Sequence, residues 1–368
     1  MLITIGAFDG FHRGHEKLLD ICRANSDSPE DWAVLSFWPH PGEFMGKFKQ
    51  SLFTLSEREF IRQVIGIPNM YNLCFDDELR NLSPERFWSL IHSRFNITGL
   101  VMGSDFHFGH DRSGSAQSLK LLAESSGLHN IHIADLLDKD IYSSSKARER
   151  INSGDVRTAR EILGYNFFIM SKIIHGSQRG RTMNLPTANL NIAANKILPP
   201  YGVYAAAVLV NHELHCGALS IGNNPTFGDI HEVRAEVHIL DFEKQDIYGE
   251  NMLLFFLDRI RDIKTFENKD SLIIQIENDI DTCRRIYREA EINSQKFFMR
   301  AKEIFCSSSV ENFLPELINI TNGEERERVK NADRFTLSYK FAGTKKRCPL
   351  SHHQGKGGRS HEDAHSRL

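Results

Sequence analysis

Residues 1–24 read MLITIGAFDGFHRGHEKLLDICRA. An apolar run over residues 2–5 is followed by a glycine-rich segment and then, from residue 16 to 24, by an amphipathic pattern. This order predicts a strand, a tight turn and the start of a helix, where free backbone N–H groups can hold phosphate. The segment therefore predicts a phosphate-binding site directly after the first strand of an α/β domain.

The side chains of this turn suit a nucleoside triphosphate. His12 and His15 can donate hydrogen bonds to phosphate, and Asp9 can meet a magnesium ion or a hydroxyl. The glycines let the backbone turn tightly and approach a polyphosphate closely. Two histidines at this spacing also occur by chance, but the surrounding glycines and aspartate favour a site. The nucleotide-binding residues predicted here are Gly6, Phe8, Asp9, Gly10, His12, Gly14 and His15.

Short apolar runs alternate with helical patterns in the first half of the chain. The predicted strands are residues 2–5, 33–37, 72–75, 100–102 and 131–134, and the predicted helices are residues 16–24, 56–64, 84–94, 115–125, 146–154 and 156–163. Such alternation is typical of a doubly wound parallel sheet, whose ligands bind at the carboxyl ends of the strands.

The hydrophobic period changes to two from residue 167. The predicted strands are residues 167–174, 204–209, 215–221, 235–240 and 252–257, and one long helical pattern follows over residues 269–302. Short strands without helices between them indicate an antiparallel barrel or sandwich. We therefore expect one domain over residues 1–163, a linker near residues 164–166 and a second domain over residues 164–305.

Composition narrows the function classes. The 368 residues carry a net charge of −3, which argues against a general nucleic-acid partner. No stretch approaches the roughly 20 apolar residues that span a bilayer, and the first strand begins too early to leave room for a signal peptide. Six cysteines without CxxC spacing fit free thiols in a reducing cytoplasm.

The end of the chain differs from the rest. A short helix is possible over residues 311–320, but residues 344–368 contain almost no large apolar side chain. Because such a segment cannot bury enough surface to offset its ordering entropy, we expect the extension over residues 306–368 to be largely disordered.

The decapeptide GAFDGFHRGH over residues 6–15 resembles the GxFDGxHxGH signature of the nucleotidyltransferases. Three further segments, FWPHP (37–41), GSDFHFG (103–109) and SSSKAR (143–148), are similar to the FAD synthetase module of bacterial bifunctional riboflavin kinase/FAD synthetases. PTANL (186–190), GVY (202–204), IGNNPTF (221–227) and EVH (236–238) resemble its riboflavin kinase module. The resemblance covers about residues 1–300 and implies a Rossmann-like domain followed by an antiparallel β-barrel with a C-terminal helix.

For the first domain, the resemblance implies transfer of an adenylyl group from ATP to FMN. Together with His12 and His15, Arg148 of the hydroxyl-rich segment is the expected triphosphate contact. The other nucleotide-binding positions that it adds are His40, Gly103, Asp105 and Ser144. His107 stands where arginine is common, and Ala147 replaces a larger aliphatic residue.

For the second domain, the resemblance implies phosphorylation of riboflavin by ATP with Mg²⁺. Glu236 is the expected general base, on one strand face with Arg234 and His238. Thr187 and Asn189 are the expected metal ligands, since magnesium prefers oxygen. Further nucleotide-binding positions are the basic, glycine-containing loop with Gly176, Gly180 and Arg181, and Asn224.

One departure bears on the alternatives. Asn184 occupies a position near PTAN where the family usually has glycine. If it disables the kinase site, the chain is instead a flavin-binding or regulatory protein that retains one activity. A nucleotidyltransferase with another acceptor would leave the second domain unexplained. The favoured hypothesis is a cytoplasmic two-step enzyme whose partners are riboflavin, FMN and ATP, with neither nucleic acid nor membrane.

Overall fold

The computed structural model of the chain describes residues 1–135, 137–138, 140–175, 186–223, 233–243, 246–307, 316–318 and 327–328. Within these residues, two architectures follow one another along the chain. The change from one to the other falls between Leu163 and Phe168.

A parallel sheet organises the first half. Its strands are β1 (Leu2–Ile5), β2 (Trp32–Trp38), β3 (Asn69–Cys74), β4 (Gly99–Gly103), β5 (His107–Phe108), β6 (Gly114–Ser115) and β7 (Ile131–Ala134). β5 and β6 pair separately, whereas the other five are parallel in the order β3-β2-β1-β4-β7. Thr4 of β1 pairs with Val34 on one side and Val101 on the other. The chain therefore builds the sheet outward from β1 in both directions, as the doubly wound prediction requires.

The helices of this half follow their local signals. They are α1 (Glu16–Asn25), α2 (Pro41–Phe44), α3 (Leu55–Val64), α4 (Asp77–Arg80), α5 (Pro84–Arg94), α6 (Ala116–Ser125), α7 (Ser144–Ser153) and α8 (Val156–Leu163), with 3-10 turns at Arg13–His15 and His110–Arg112. Thr54 and Glu57 form a reciprocal capping box at the start of α3. Ser83 caps α5 and Pro84 occupies its first turn. The predicted helices of this half are confirmed to within two residues at each end.

A closed antiparallel barrel forms the second half. Its strands are β8 (Phe168–Ile174), β9 (Ala188–Leu190), β10 (Gly202–Val210), β11 (Glu213–Asn223), β12 (Val233–Ile239) and β13 (Asn251–Arg261). They close in the order β10-β11-β12-β9-β8-β13. Strand periodicity did not reveal β9, because it has only three residues. The resemblance-based prediction of a barrel is confirmed.

The single long helix predicted over residues 269–302 is wrong at one point. The structure has α9 (Lys269–Asn293) and α10 (Gln295–Ser307), separated by Ser294. The hydroxyl of Ser294 lies 3.2 Å from Asn166 Oδ1, and its backbone φ of −120° departs from helical geometry. The helix is therefore interrupted where Ser294 contacts Asn166, in the segment between the parallel sheet and the barrel.

The short helix considered possible over residues 311–320 needs correction. Residues 316–318 form a strand, β14 (Glu316–Ile318), rather than part of a helix, and β15 (Glu327–Arg328) pairs with it. β14 runs parallel to β3, so Leu317 lies opposite Asn72. Unsatisfied hydrogen-bonding groups at the edge of β3 offer this pairing, which composition does not reveal. The prediction that the extension over residues 306–368 is largely disordered stays a prediction.

One continuous apolar core joins the two halves. Phe53 packs against Phe167 and Phe168, with ring centroids 5.5 and 4.9 Å apart. The backbone of Ser51 accepts and donates hydrogen bonds with the segment 195–197. Among the described residues, no helix combines the length and apolar character needed to cross a membrane.

Candidate active sites

The first candidate site lies where the order of the parallel strands reverses. β1 stands between β2 and β4. From β2 the chain continues outward to β3 on one side of β1, and from β4 it continues outward to β7 on the other. Gly6 follows the last residue of β1 and Gly103 ends the neighbouring β4, so both lie at the carboxyl edge. Ligands of open α/β sheets bind at such a switch point, so this edge is the candidate site for a nucleotide.

The loop after β1 has an irregular backbone. Phe8, Gly10 and Phe11 have φ values of 43°, 80° and 44°, in the left-handed region. A side chain at Gly14 would place its Cβ 2.7 Å from the Tyr142 carbonyl oxygen, so glycine alone fits there. The Phe8 ring is buried and packs against His15 at 4.8 Å between centroids. The loop thus folds back over itself and holds its two histidines together.

His12 and His15 stack on each other with ring centroids 3.9 Å apart. Burial lowers the pKa of His12 to about 4, against an opposing effect of Asp9. Burial, His12 and Arg58 together lower the pKa of His15. Both imidazoles are therefore neutral at neutral pH, and each can donate one N–H. The Nδ1 atoms of both rings are buried and lack a hydrogen-bond partner among the described residues.

Asp9 and Arg148 are brought together across the loop. Arg148 Nη2 lies 2.6 Å from Asp9 Oδ2, and both side chains are largely buried. Ser144 donates its hydroxyl to the backbone oxygen of Asp9 at 2.9 Å. The guanidinium of Arg148 also lies 3.8 Å from the centroid of the Phe48 ring. Residues 139 positions apart in sequence therefore form one cluster, in which the Asp9 carboxylate fixes the Arg148 guanidinium.

His40 joins this cluster from the end of β2. Its Nδ1 accepts a hydrogen bond from the backbone N–H of Gly42 at 2.9 Å, which caps α2. Burial lowers its pKa to about 4, partly offset by Asp9 and reinforced by Arg58 and Arg148. His40 therefore caps α2 next to Asp9 and Arg148, while its role in nucleotide binding stays a prediction.

Arg58 lies beside the candidate site and was not singled out from the sequence. It is 1% exposed and donates to the carbonyl oxygens of Phe37 and Ala7, at 3.2 and 3.1 Å. It thus ties the carboxyl ends of β1 and β2 together. The only available signal was a charged run, Glu57 to Glu59, inside a helix with an apolar face, and such runs are usually solvated.

Asp105 differs from the buried cluster in its exposure to solvent. It follows β4 and is exposed, and its backbone oxygen accepts a hydrogen bond from His107 Nδ1 at 2.7 Å. Gly103, by contrast, is buried at the sheet edge. The position of Asp105 at a strand end agrees with the predicted site, while its role there stays a prediction.

The second candidate site lies on the outer face of the barrel. The apolar residues Ala235 and Val237 of β12 are buried, while Glu236 between them is half-buried. The register places Glu236 directly opposite Asn189 of β9 and opposite Ser220 of β11. Directly opposed residues of antiparallel strands point to the same face, so the carboxylate and the amide are neighbours.

Oxygen donors surround Glu236 on this face. Thr187 is half-buried and lies two residues before Asn189, directly ahead of β9. His238 Nδ1 donates to the Pro186 backbone oxygen at 2.9 Å, which holds the start of β9 against β12. A hydroxyl, an amide oxygen and a carboxylate suit Mg²⁺, which prefers hard oxygen ligands. Among the described residues, no group of three His, Cys, Asp or Glu side chains could hold a metal, so an ion here would also need substrate or water oxygens.

Several predicted residues of the kinase site lie outside the described residues. They are Gly176, Gly180, Arg181, Asn184 and Asn224. Their assignment stays a prediction from the sequence.

Two family models match the chain in succession. The FAD synthetase model covers residues 1–147 and the riboflavin kinase model covers residues 163–287. Relatives named bifunctional riboflavin kinase/FMN adenylyltransferase match over both parts. The chain belongs to this bifunctional family. The family's two models divide the chain where the parallel sheet gives way to the barrel.

The relatives are similar over most of their length. The protein of Listeria monocytogenes is 31% identical over 79% of this chain and 93% of its own, and that of Bacillus subtilis is 33% identical over 78% and 92%. A solved structure from Streptococcus pneumoniae, described as a macrolide-efflux protein, is 30% identical with a TM-score of 0.68, over 77% of this chain and 93% of that one. The riboflavin kinase model ends at residue 287.

Proposed function

We propose that this enzyme makes FAD from riboflavin in two steps. The barrel transfers the γ-phosphoryl group of ATP to riboflavin, which yields FMN and ADP. The parallel-sheet domain then transfers the adenylyl group of a second ATP to FMN, which yields FAD and pyrophosphate. The observation that supports this proposal is that the predicted residues gather in two separate places, the loop cluster after β1 and the Glu236–Asn189 pair on the barrel.

At the first site, a phosphate oxygen of FMN attacks the α-phosphorus of ATP and pyrophosphate leaves. The protein positions the reactants and supplies fixed donors where negative charge grows. The neutral imidazoles of His12 and His15 donate N–H groups to the phosphates, with their ring stacking limiting their rotation. Arg148 supplies positive charge, and its pairing with Asp9 fixes the guanidinium before substrate arrives.

At the second site, Glu236 accepts the proton of the terminal ribityl hydroxyl as its oxygen attacks the γ-phosphorus. Glu236 is half-buried, so its carboxylate is accessible to substrate. It lies opposite Asn189 in the neighbouring strand. Thr187 and Asn189 would hold Mg²⁺, which when bound neutralises charge on the ATP phosphates. ADP is the leaving group.

Domain limits and location belong to the same proposal. We assign residues 1–163 to adenylylation, residues 164–305 to phosphorylation, and residues 306–368 to an extension. The end of α8 at Leu163 and the start of β8 at Phe168 support the first limit. We place the enzyme in the cytoplasm, where ATP and reduced thiols are abundant.

Turnover tests the proposal directly. Purified protein is incubated with riboflavin and Mg-ATP, and the flavins are separated by chromatography. We expect FMN to appear first and FAD to follow. When FMN is supplied in place of riboflavin, FAD should form directly. Accumulation of FMN alone, or binding without turnover, would favour the one-activity or regulatory alternative. Formation of neither product would overturn the proposal.

A further inference from the structure

The segment between the two architectures makes a direct contact with the phosphate loop. Tyr165 follows α8 and is 5% exposed. Its hydroxyl donates a hydrogen bond to the backbone oxygen of Gly10, 155 positions earlier in the chain. The loop residue that receives this bond lies between Asp9 and His12, both assigned to adenylyl transfer.

The loop depends on contacts of this kind because its backbone is irregular. Phe8, Gly10 and Phe11 all have positive φ, and two of them are not glycine. Residues held in this region cost free energy and persist only where the surroundings determine them. Two successive carbonyls are held by hydroxyls that flank α7 and α8: the Asp9 oxygen by Ser144 at the start of α7, and the Gly10 oxygen by Tyr165 just after α8.

The bond to Gly10 sets the direction of a donor. In a trans peptide the carbonyl oxygen and the following N–H point in opposite directions. With the Gly10 oxygen held toward Tyr165, the N–H of Phe11 points away from the interior contact. Burial, together with Asp9 and Glu57, raises the pKa of Tyr165, so its phenol remains protonated and acts as a donor.

Tyr165 is itself held by the second half of the chain. Its ring stacks on Phe297 of α10, with centroids 5.0 Å apart and planes inclined by 6°. Phe297 in turn packs edge-on against Phe255 of β13 in the barrel, at 6.1 Å. A continuous series of contacts therefore runs from the barrel through α10 and Tyr165 to Gly10.

We propose that Tyr165 is a positioning residue for adenylyl transfer, which couples the phosphate loop to the docking of α10. This inference rests on the proposed function of the first site. The hydroxyl fixes the loop from behind, and the stack with Phe297 fixes the hydroxyl. The geometry of the FMN adenylylation site thus depends on a helix that belongs to the kinase part of the chain.

Tyr165→Phe tests the hydroxyl, because it keeps the ring and its stack. We expect kcat for FAD formation from supplied FMN to fall about tenfold or more, with riboflavin phosphorylation within about twofold of wild type. Tyr204→Phe is the control, since Tyr204 is also buried and donates its hydroxyl to the carbonyl oxygen of Pro200 at 2.6 Å. Its hydroxyl also accepts a hydrogen bond from Arg259 Nε at 3.2 Å, so this variant should lower the melting temperature at least as much but leave FAD formation from supplied FMN unchanged.

The stack is tested on α10. Phe297→Ala should lower FAD formation, Phe297→Tyr should retain it, and Met299→Ala, at a position 66% exposed on the same helix, should change nothing. The effects of Tyr165→Phe and Phe297→Ala should not add in the double variant, because both act through one contact. Additive effects, or loss in Met299→Ala as well, would contradict the coupling.

Hydrogen exchange separates this inference from the proposed function. Amides of residues 7–12 should exchange faster in Tyr165→Phe than in wild type. In Tyr204→Phe their exchange rates should equal those of wild type. If wild-type protein makes no FAD, the proposed function fails, while loop exchange still decides whether Tyr165 holds the loop. Unchanged FAD formation together with unchanged loop exchange in Tyr165→Phe would overturn the positioning role.

Discussion

Lys196 Nζ lies 2.8 Å from Glu57 Oε2, and both side chains are only 1% exposed. Glu57 belongs to α3 of the first half, whereas Lys196 lies between β9 and β10 of the barrel. The second oxygen of Glu57 accepts the backbone N–H of Met170 at 3.0 Å, and the Lys196 ammonium lies 4.2 Å from the Phe53 ring centroid. A buried charge pair therefore joins the two halves inside their shared apolar core.

Breaking this pair should destabilise the whole chain. Glu57→Gln leaves the Lys196 ammonium buried without a counter-charge, so we expect a loss of about 3–5 kcal/mol in the free energy of unfolding. Denaturant titration measures it. Glu124→Gln, which removes the exposed partner of Lys120, should cost less than about 1 kcal/mol. Equal effects of the two variants would show that the buried pair does not hold the halves together.

His15→Ala removes a neutral N–H donor at the adenylylation site. We expect FAD formation to fall by about 10²-fold or more, as for loss of one preorganised donor, while FMN formation from riboflavin is unchanged. His129→Ala, at an exposed position in the same half, is the control and should leave both rates unaltered. Equal loss of both activities in His15→Ala would mean that the sites are not separate.

Glu236→Gln keeps size and hydrogen bonding but removes the proposed base. Riboflavin phosphorylation should drop by about 10²–10⁴-fold, whereas adenylylation of supplied FMN persists. Glu213→Gln changes an exposed glutamate of the same barrel and should affect neither reaction. Phosphorylation at a near wild-type rate in Glu236→Gln would place the base elsewhere.

Acid should destabilise the first half through its buried histidines. Burial lowers the pKa values of His12 and His40 to about 4, below the ordinary value of 6.5. Between these values the unfolded chain binds protons that the folded chain does not, so the free energy of unfolding falls as pH falls from about 6.5 to about 4.

His40→Asn provides the check, since asparagine can still accept the capping hydrogen bond. Relative to wild type, this variant should gain on the order of 1–2 kcal/mol of stability between pH 7 and pH 4.5, measured by denaturant titration at each pH. A stability difference that stays constant with pH would show that folding does not lower the pKa of His40.

Truncation after Ser307 removes the strand beside β3. Amide exchange over residues 69–74 should become faster, because β14 no longer pairs with this edge, while β7 at the opposite edge should be unchanged. Both activities should remain within about twofold, since every proposed site residue precedes the truncation. Unchanged exchange in β3 would mean that the strand does not pair in solution.

Local sequence determined the first site to a large extent. Glycines at positions that need positive φ or close approach, a strand before them and a helix after them specify the loop and its histidines within fifteen residues. Period-two alternation likewise placed Glu236 on the half-buried face of β12. Both signals depend only on residues close in sequence, so they can be read without knowing which distant segments pack against them.

Tertiary structure alone decided the long-range pairings. The sequence around Glu57 does not indicate its partner Lys196, and the sequence around Gly10 does not indicate Tyr165. A buried charge or hydroxyl needs a hydrogen-bonding partner, and here a distant segment of the chain supplies it. The break at Ser294 and the strand at residues 316–318 depend in the same way on contacts with Asn166 and β3. Sequence thus specified two chemistries, and packing determined how their sites are joined.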